Sequence, residues 1–340
     1  MDRAMKRSMG PSVERAAVKL SNVMLLVAAF LVVTCGLSLA EEYPARPVNV
    51  TVVYAAGGTM DTTARTLAGP AEKLLGQQLA VTNVGGAGGA VGLGLIAKQK
   101  PDGYHLGVCS HAGLVFVPHV QTVTYKLDDF VPVMHYGFSP NAIVVRSDSP
   151  WRTLKDLIEY ARQNPRKVTY GTGGTGSPMH LAMEFIGRQE GIQWTHVPYQ
   201  GANPAMIALL GGHITAESGS TEWMPHVKEG KLRLLAAQGE KRMKAFPDVP
   251  TLRELGYDFT TGAYFMFVAP KGTPEAIVGK LDNTLHKAMD DPKFIDLLGK
   301  LEIEVSYRNA ADLKKYLEES NARLEKLFSE NKIPRLQEKK

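Results

Sequence analysis

The chain has 340 residues, 44% hydrophobic and 21% charged, with 33 Gly and 20 Pro; that composition excludes fibrous, low-complexity and disordered classes, and at about 150 residues per domain the length suits two domains. The formal charge is +5, but residues 1–40 alone hold five Lys/Arg against two acids, which leaves +2 on the rest. So small an excess supplies no basic stripe to displace counterions from phosphates, and no nucleic-acid partner is expected.

The N-terminus reads as an export signal: a basic stretch, the apolar run Val23 to Val33, then Ser38-Leu39-Ala40 ahead of Glu41. Small residues at the first and third of those last positions suit signal peptidase, so residues 1–40 are expected to be a signal peptide cleaved after Ala40. Two alternatives stay open. Val23 to Leu39 would be short for an anchor spanning about 30 Å of hydrocarbon, and Cys35, after Leu31-Val32-Val33-Thr34, would be the acylated residue of a lipoprotein. The only cysteines are Cys35 and Cys109, so cleavage leaves no intramolecular disulfide, and a chain of this size needs none. Cys109, in the apolar string Leu106-Gly107-Val108-Cys109, reads as a buried inert thiol.

From residue 43 onwards short β-branched runs alternate with helical segments, the pattern of an α/β protein. Strands are expected at Val48 to Val53, Leu79 to Asn83, His105 to Ser110 and Asn141 to Arg146. Between the first two lie a turn, Tyr54 to Met60, and a helix, Asp61 to Leu75, whose buried side would include Ala64, Leu67, Ala68, Ala71, Leu74 and Leu75. Thr153 to Gln163 has Leu154, Leu157, Ile158 and Ala161 at helical spacing, with Thr153 and Asp156 as a capping box. Further strands are expected at Val168 to Thr172, Thr195 to Tyr199, His213 to Ser218 and Leu232 to Gln238, separated by helices starting near Ser177, Asn203 and Thr221. Gly262 to Ala269 is apolar and aromatic, a helix opens at Thr273-Pro274-Glu275 with Pro at the first helical position, and the tail from Ala310 reads as a surface helix with Leu313, Tyr316, Leu317, Leu324 and Leu327 inward.

Three glycine-rich turns follow expected strands: Gly57-Gly58-Thr59, Gly85 to Gly89, and Gly171 to Ser177. In parallel α/β sheets ligands bind at such strand ends, where helix N-termini present free N–H groups that favour an anion without a charged side chain. No turn has the Lys-Ser/Thr of a phosphate loop, and Gly57-Gly58 does not meet the dinucleotide fingerprint. Catalytic patterns are as thin: there is no Gly-x-Ser-x-Gly elbow, no His-Glu-x-x-His and no paired-cysteine metal spacing. Cys109 and Ser110 point to opposite faces of one strand and cannot share a pocket. His180 and His196 read as hydrogen-bonding or packing residues. No enzyme activity, cofactor or metal is expected.

Short motifs run in a fixed order along nearly the whole chain from Tyr43 to about Leu327: Gly57, Gly58, Asp61 and Arg65 as Gly-Gly-x-x-Asp-x-x-x-Arg; Pro101-Asp102-Gly103-Tyr104; His196-Val197-Pro198-Tyr199-Gln200-Gly201; Phe246-Pro247-Asp248-Val249-Pro250-Thr251; and Ala269 to Pro274 as Ala-Pro-x-Gly-Thr-Pro. In these the chain resembles the substrate-binding receptors of tripartite tricarboxylate transporters, the Bug receptors. The resemblance implies an α/β, two-lobed periplasmic binding protein of type II, a Venus flytrap, with lobe 1 formed by 43–142 and 263–340 and lobe 2 by 143–262. It also implies a small carboxylate, such as a di- or tricarboxylate, acidic amino acid or aromatic acid, held between the lobes and passed to a membrane permease of the tripartite type by a receptor expected to be monomeric. Carried over by position, the pocket comprises Tyr54, Ala55, Gly57, Gly58, Thr59 and Asp61; Ser110 and His111; Thr172, Gly173, Thr175, Gly176, Ser177 and His180; and Tyr199, Ser218, Gly219, Ser220 and Thr221. Asp61 is expected not to touch the anion but to cap the helix or to fix the loop through Arg65.

The chain departs from the family pattern where Val53-Tyr54-Ala55-Ala56 replaces Pro-Phe-x-Pro, where Asn83-Val84-Gly85-Gly86 replaces Asn-Arg/Lys-Pro-Gly, and at Glu217, commonly apolar or aromatic in the family. An unpaired Glu217 near the cleft would disfavour a polyanion. The competing readings are a ligand-sensing module for a membrane kinase and an exported hydrolase, for which no nucleophile and base are found.

Overall fold

Alternation of inward Val48, Val50 and Val52 with Asn49 and Thr51 makes Val48–Val52 the first strand, β1. In the computed structural model, which describes residues 43–199 and 201–330, the chain continues through α1 (Thr59–Leu75), β2 (Leu79–Asn83), α2 (Ala90–Ile96), β3 (His105–Ser110) and a π turn, Ala112–Phe116, leading to α3 (Val117–Val120). It then forms β4 (Phe130–Pro140), β5 (Ala142–Arg146), α4 (Leu154–Gln163), β6 (Thr169–Thr172), α5 (Pro178–Glu190), β7 (Thr195–Pro198), α6 (Ala202–Leu210), β8 (Ala216–Gly219), α7 (Met224–Lys228) and β9 (Leu232–Ala237). It closes with β10 (Gly262–Pro270), α8 (Glu275–Ala288), α9 (Pro292–Lys300), β11 (Glu304–Arg308) and α10 (Ala310–Ser329). The expected signal peptide and Cys35 lie outside the described residues. Among those residues no helix is long and apolar enough to cross a membrane.

The strands form two sheets. One has the order β11-β4-β10-β3-β1-β2 and the other β7-β6-β8-β5-β9. In the first, β1 runs parallel to β2 and β3, while β10 is antiparallel to β3 and β4; in the second, β6 is parallel to β7 and β8, and β5 antiparallel to β8 and β9. The chain passes between sheets twice, at Asn141 and between Ala237 and Gly262. The two crossings are tied together. Gln238 N–H donates to Asn141 O (2.8 Å), Thr261 N–H to Gln238 O (2.7 Å), and Asn141 Nδ2 to Thr261 Oγ1 (3.0 Å). A Cβ on Gly262 would collide with the Phe138 ring, so the tight join of β4 to β10 requires glycine there.

Each sheet is covered by helices whose apolar faces follow from spacing. In α4 the expected capping box forms, with Thr153 Oγ1 accepting from Asp156 N–H (3.1 Å) and Asp156 Oδ2 from Thr153 N–H (2.9 Å), and Leu154, Leu157, Ile158 and Ala161 are buried. A contiguous buried cluster links the layers of both sheets through Phe116, Phe259 and Phe185, whose ring centroids are 6.0 and 5.6 Å apart in turn.

Several expectations are corrected. Leu74 is 54% exposed, because it lies off the stripe set by Leu67, Ala71 and Leu75. Pro274 has ψ 139° and stands before α8 as its N-cap, with Glu275 as the first helical residue. The helix expected near Thr221 begins at Met224, and the strand expected from His213 begins at Ala216. β4, β11 and α9 were not anticipated.

Candidate functional site

Strand register places the glycine turns. Gly262, the first residue of β10 after the second crossing, pairs with Pro140, and Phe265 three residues on pairs with Ser110. Val108 of the same strand β3 pairs with Val52, so Ser110 and the turn from Tyr54 share the end of the first sheet that borders the crossings. In the second sheet Gly219 and Ala237 both pair with Ala142, the first residue after the first crossing, and Gly171 pairs with Glu217. The turn after β6 and the end of β8 therefore also border the crossings. Turns far apart in sequence thus meet the same junction from two sheets.

The first turn is held by its own side chains. Gly57 has φ +77°, a left-handed conformation that disfavours any side chain, and a Cβ there would meet nothing within 4 Å. Its N–H donates to Asp61 Oδ2 (2.8 Å), and Arg65 Nε donates to Asp61 Oδ1 (2.8 Å). Arg65 Nη2 reaches Asn83 Oδ1 (2.7 Å), and Asn83 Nδ2 donates to Tyr54 O (3.1 Å). Burial of Asp61 works against its charge, but the Gly57 N–H, Asn83 and Arg65 together hold its carboxyl below the ordinary range. Asp61 thus fixes the loop and does not cap the helix, whose N-cap is Gly58. Gly58, the N-cap of α1, has no side chain to cap the helix, so the first-turn amides of Thr59 and Met60 have no intrahelical acceptor.

Tyr54 crosses the turn to share a 2.5 Å hydrogen bond with Ser110 Oγ. His111, assigned beside Ser110, is placed apart from this contact. Its ring stands edge-on to Phe116 and Tyr264 and its Nε2 lies 2.7 Å from Ser320 Oγ on α10, which closes it away at 1% exposure. Burial pushes it down to about 3, so it is neutral.

In the second sheet the loop after β6 also spends polar groups on itself. Ser177 Oγ accepts from His180 N–H (3.2 Å), His180 Nδ1 from Gly176 N–H (3.1 Å), and Thr172 Oγ1 from Gly174 N–H (3.2 Å). His180 stacks on His196 at 4.0 Å, and His196 Nε2 bonds Thr172 Oγ1 at 2.8 Å. Burial lowers both imidazoles to about 4. These groups preorganise the loop, while the N-terminus of the neighbouring α6 is the open one: its N-cap, Gly201, has no capping side chain, and Ala202 N would lie 3.3 Å from a Cβ on Gly173. Thr175, Ser220 and Thr221 lie in the two turns at this end, and Tyr199 follows β7 directly. Ser218 is fully buried, its Oγ donating to Met179 O in the first turn of α5 and accepting from Gln238 Nε2 at the second crossing.

Sequence reasoning missed Asn83, Ala202 and Glu222. Asn83 was legible only as a strand end, Ala202 was signalled by Gly201 in the His196 to Gly201 motif, and Glu222 had no local signal. Ser220 N–H donates to Glu222 Oε1 (2.8 Å). A separate cavity of about 360 Å³, lined by Leu114, Leu127, Phe130, Lys271, Lys314 and Leu317 among others, lies at the far end of β10 and contains none of the glycine turns. Among the described residues no three or more His, Cys, Asp or Glu side chains gather as a metal site.

Residues 63–333 match a family model described as the tripartite tricarboxylate transporter family receptor. Protein BugT of Bordetella pertussis is 34% identical over 287 residues, 80% of this chain and 86% of its own. A TctC solute-binding protein from Polaromonas, solved without ligand, is similar at TM-score 0.78 and 33% identity, covering 85% of this chain and 99% of that one. MatC from Rhodopseudomonas palustris, solved with bound malate, is similar at TM-score 0.68 and 29% identity, covering 84% and 99%.

Proposed function

Because this chain belongs to the tripartite tricarboxylate transporter receptor family, whose members are periplasmic solute-binding receptors, we propose that it captures a small carboxylate between two lobes and delivers it to a membrane permease of the tripartite type. The observation that carries this reading is the pair of helix starts, α1 and α6, that lack capping side chains and border the crossings from opposite sheets. Such ends present N–H donors and a partial positive charge, so they hold a carboxylate without a formal cation, whose strong grip would oppose release. The malate in MatC is of the same chemical class. The lobes are residues 43–142 with 263–340, and 143–262; the crossings form the hinge. The protein is exported by its N-terminal signal, acts as a monomer and performs no catalysis.

Closure is the physical consequence, since a ligand that touches both lobes stabilises the state in which both reach it. Thermal shift against a panel of mono-, di- and tricarboxylates identifies the ligand class. Solution scattering with and without the hit should show a smaller radius of gyration in its presence. If no carboxylate raises the midpoint, the carboxylate assignment fails; if uptake by cells lacking this protein is unchanged for the hit, the delivery role fails.

A further inference from the structure

At the crossing end of β8 the structure holds a carboxyl pair that the anion-cradle reading does not use. Glu217 is fully buried, no N–H or hydroxyl group of another residue type reaches either of its carboxyl oxygens, and its hydrogen-bonding neighbour is the Glu222 carboxyl. It pairs with Val144 in the sheet, and its side chain reaches forward along the strand toward the crossing: its Oε1 would lie 3.1 Å from a Cβ on Gly219, and Glu222 Oε1 would collide with that same Cβ. Glycine at 219 is what lets the two carboxyl groups come together. Glu222 is only partly buried, and its Oε1 is fixed by Ser220 N–H at 2.8 Å.

Buried acceptors are ordinarily met by N–H or hydroxyl donors, whereas Glu217 is met only by a second carboxyl, which leaves acceptor capacity for a donor group of a ligand. Burial first, and then the neighbouring Glu222, push Glu217 up to about 10, so the pair stores a proton in place of that donor. A metal ion is a poor candidate, because among the described residues no third acidic, His or Cys side chain joins the two. An organic ammonium fits better: it brings up to three N–H donors and one positive charge to a site with one surplus negative charge. A second carboxylate placed there would be repelled.

We propose that Glu217 and Glu222 form a subsite for an ammonium group of the ligand, so that this receptor takes an amino-substituted carboxylate in preference to the same carbon skeleton without nitrogen. The inference rests on the receptor reading above and deepens it. The ligand carboxylate lies against the open helix starts, and its nitrogen meets Glu222 at the end of β8 with Glu217 beneath.

The test is calorimetric titration of matched pairs: aspartate against succinate, glutamate against glutarate, and 4-aminobutyrate against butyrate. Wild-type protein should bind the amino member of at least one pair ten-fold or more tightly than its partner, and Glu222→Gln should collapse that ratio to within three-fold. Glu222 is part-exposed and its amide replacement keeps an acceptor for Ser220 N–H, so this variant is expected to fold; Glu217→Gln, compared by circular dichroism, is the second arm and should act in the same direction. Preference for the nitrogen-free members, or an amino preference that survives Glu222→Gln, would overturn the subsite while leaving the receptor reading standing. Silence of every pair and of the wider carboxylate panel would overturn both.

Discussion

Replacing Asp61 with alanine removes the acceptor of two bonds at once, and the cost can be worked from their surroundings. The Gly57 N–H donates to a charged carboxylate that is 4% exposed, a bond worth about 1.5–3 kcal/mol. The Arg65 guanidinium is half exposed, so its i,i+4 pairing adds no more than about 0.5 kcal/mol. Gly57 is exposed, so water can reach its amide once the carboxylate is gone, which places the total at the lower end, about 2 kcal/mol. For a chain of this size that lowers the melting midpoint by roughly 3 °C. The pH dependence has a definite sign. Because the folded carboxyl is held below its ordinary 3.8, its contribution is complete above that value and disappears as pH falls through the depressed folded one. Calorimetric melting of wild type and Asp61→Ala at pH 7 and pH 3 tests this: the gap should be full at pH 7 and narrower at pH 3. Equal midpoints at pH 7, or a gap unchanged at pH 3, would refute the bracing role.

Gly262→Ala puts a methyl into the Phe138 ring at the second crossing and should cost about 1–3 kcal/mol as overpacking in a urea titration; a wild-type midpoint would show that the join of β4 to β10 is loose. His180 and His196 stay neutral to about pH 4 against an ordinary 6.5. The unfolded chain therefore takes up their protons first, and stability should fall as pH drops from 6.5 toward 4; a urea midpoint equal at pH 7 and pH 5 would contradict their burial. Cys109 is fully buried and burial raises its thiol well above the ordinary value, so in the processed protein it should react with an aromatic disulfide reagent only when guanidinium is added. Prompt labelling of folded protein would contradict that.

Much of the parallel part of the fold was legible because its signals are local. β1, β2, β3 and β6 are short β-branched or apolar runs ended by turns, and α4 announces itself by a capping box and four apolar residues at helical spacing. β4 was not legible, since Phe130–Pro140 contains Pro132, lacks alternation because both of its faces are buried, and pairs only with strands far along the chain, β10 and β11. The glycine turns were legible as strand ends. Which of their amides remain open was not, because it depends on distant side chains: Asp61 takes the Gly57 N–H and His180 that of Gly176. His111 follows Ser110 in sequence, but the π turn over Ala112–Phe116 begins immediately after it and its ring packs under α10. Glu217 was noticed as a departure from the family pattern, whereas its partnership with Glu222 requires the turn after β8 to fold back over Gly219.

Calorimetric titration of small carboxylates into wild-type protein and into Gly57→Val tests the central claim most directly. Space around Gly57 is open to protein atoms, so the variant should fold with only the strain of its positive φ, while the new side chain occupies the volume assigned to ligand. Wild type is expected to bind at least one carboxylate with micromolar or tighter affinity, about 8 kcal/mol or more in a 1 M standard state, and folded Gly57→Val to bind it at least a hundred-fold more weakly. Equal affinity in the two proteins would contradict the placement of the site, and absence of heat in wild type for every carboxylate would contradict the receptor's ligand class itself.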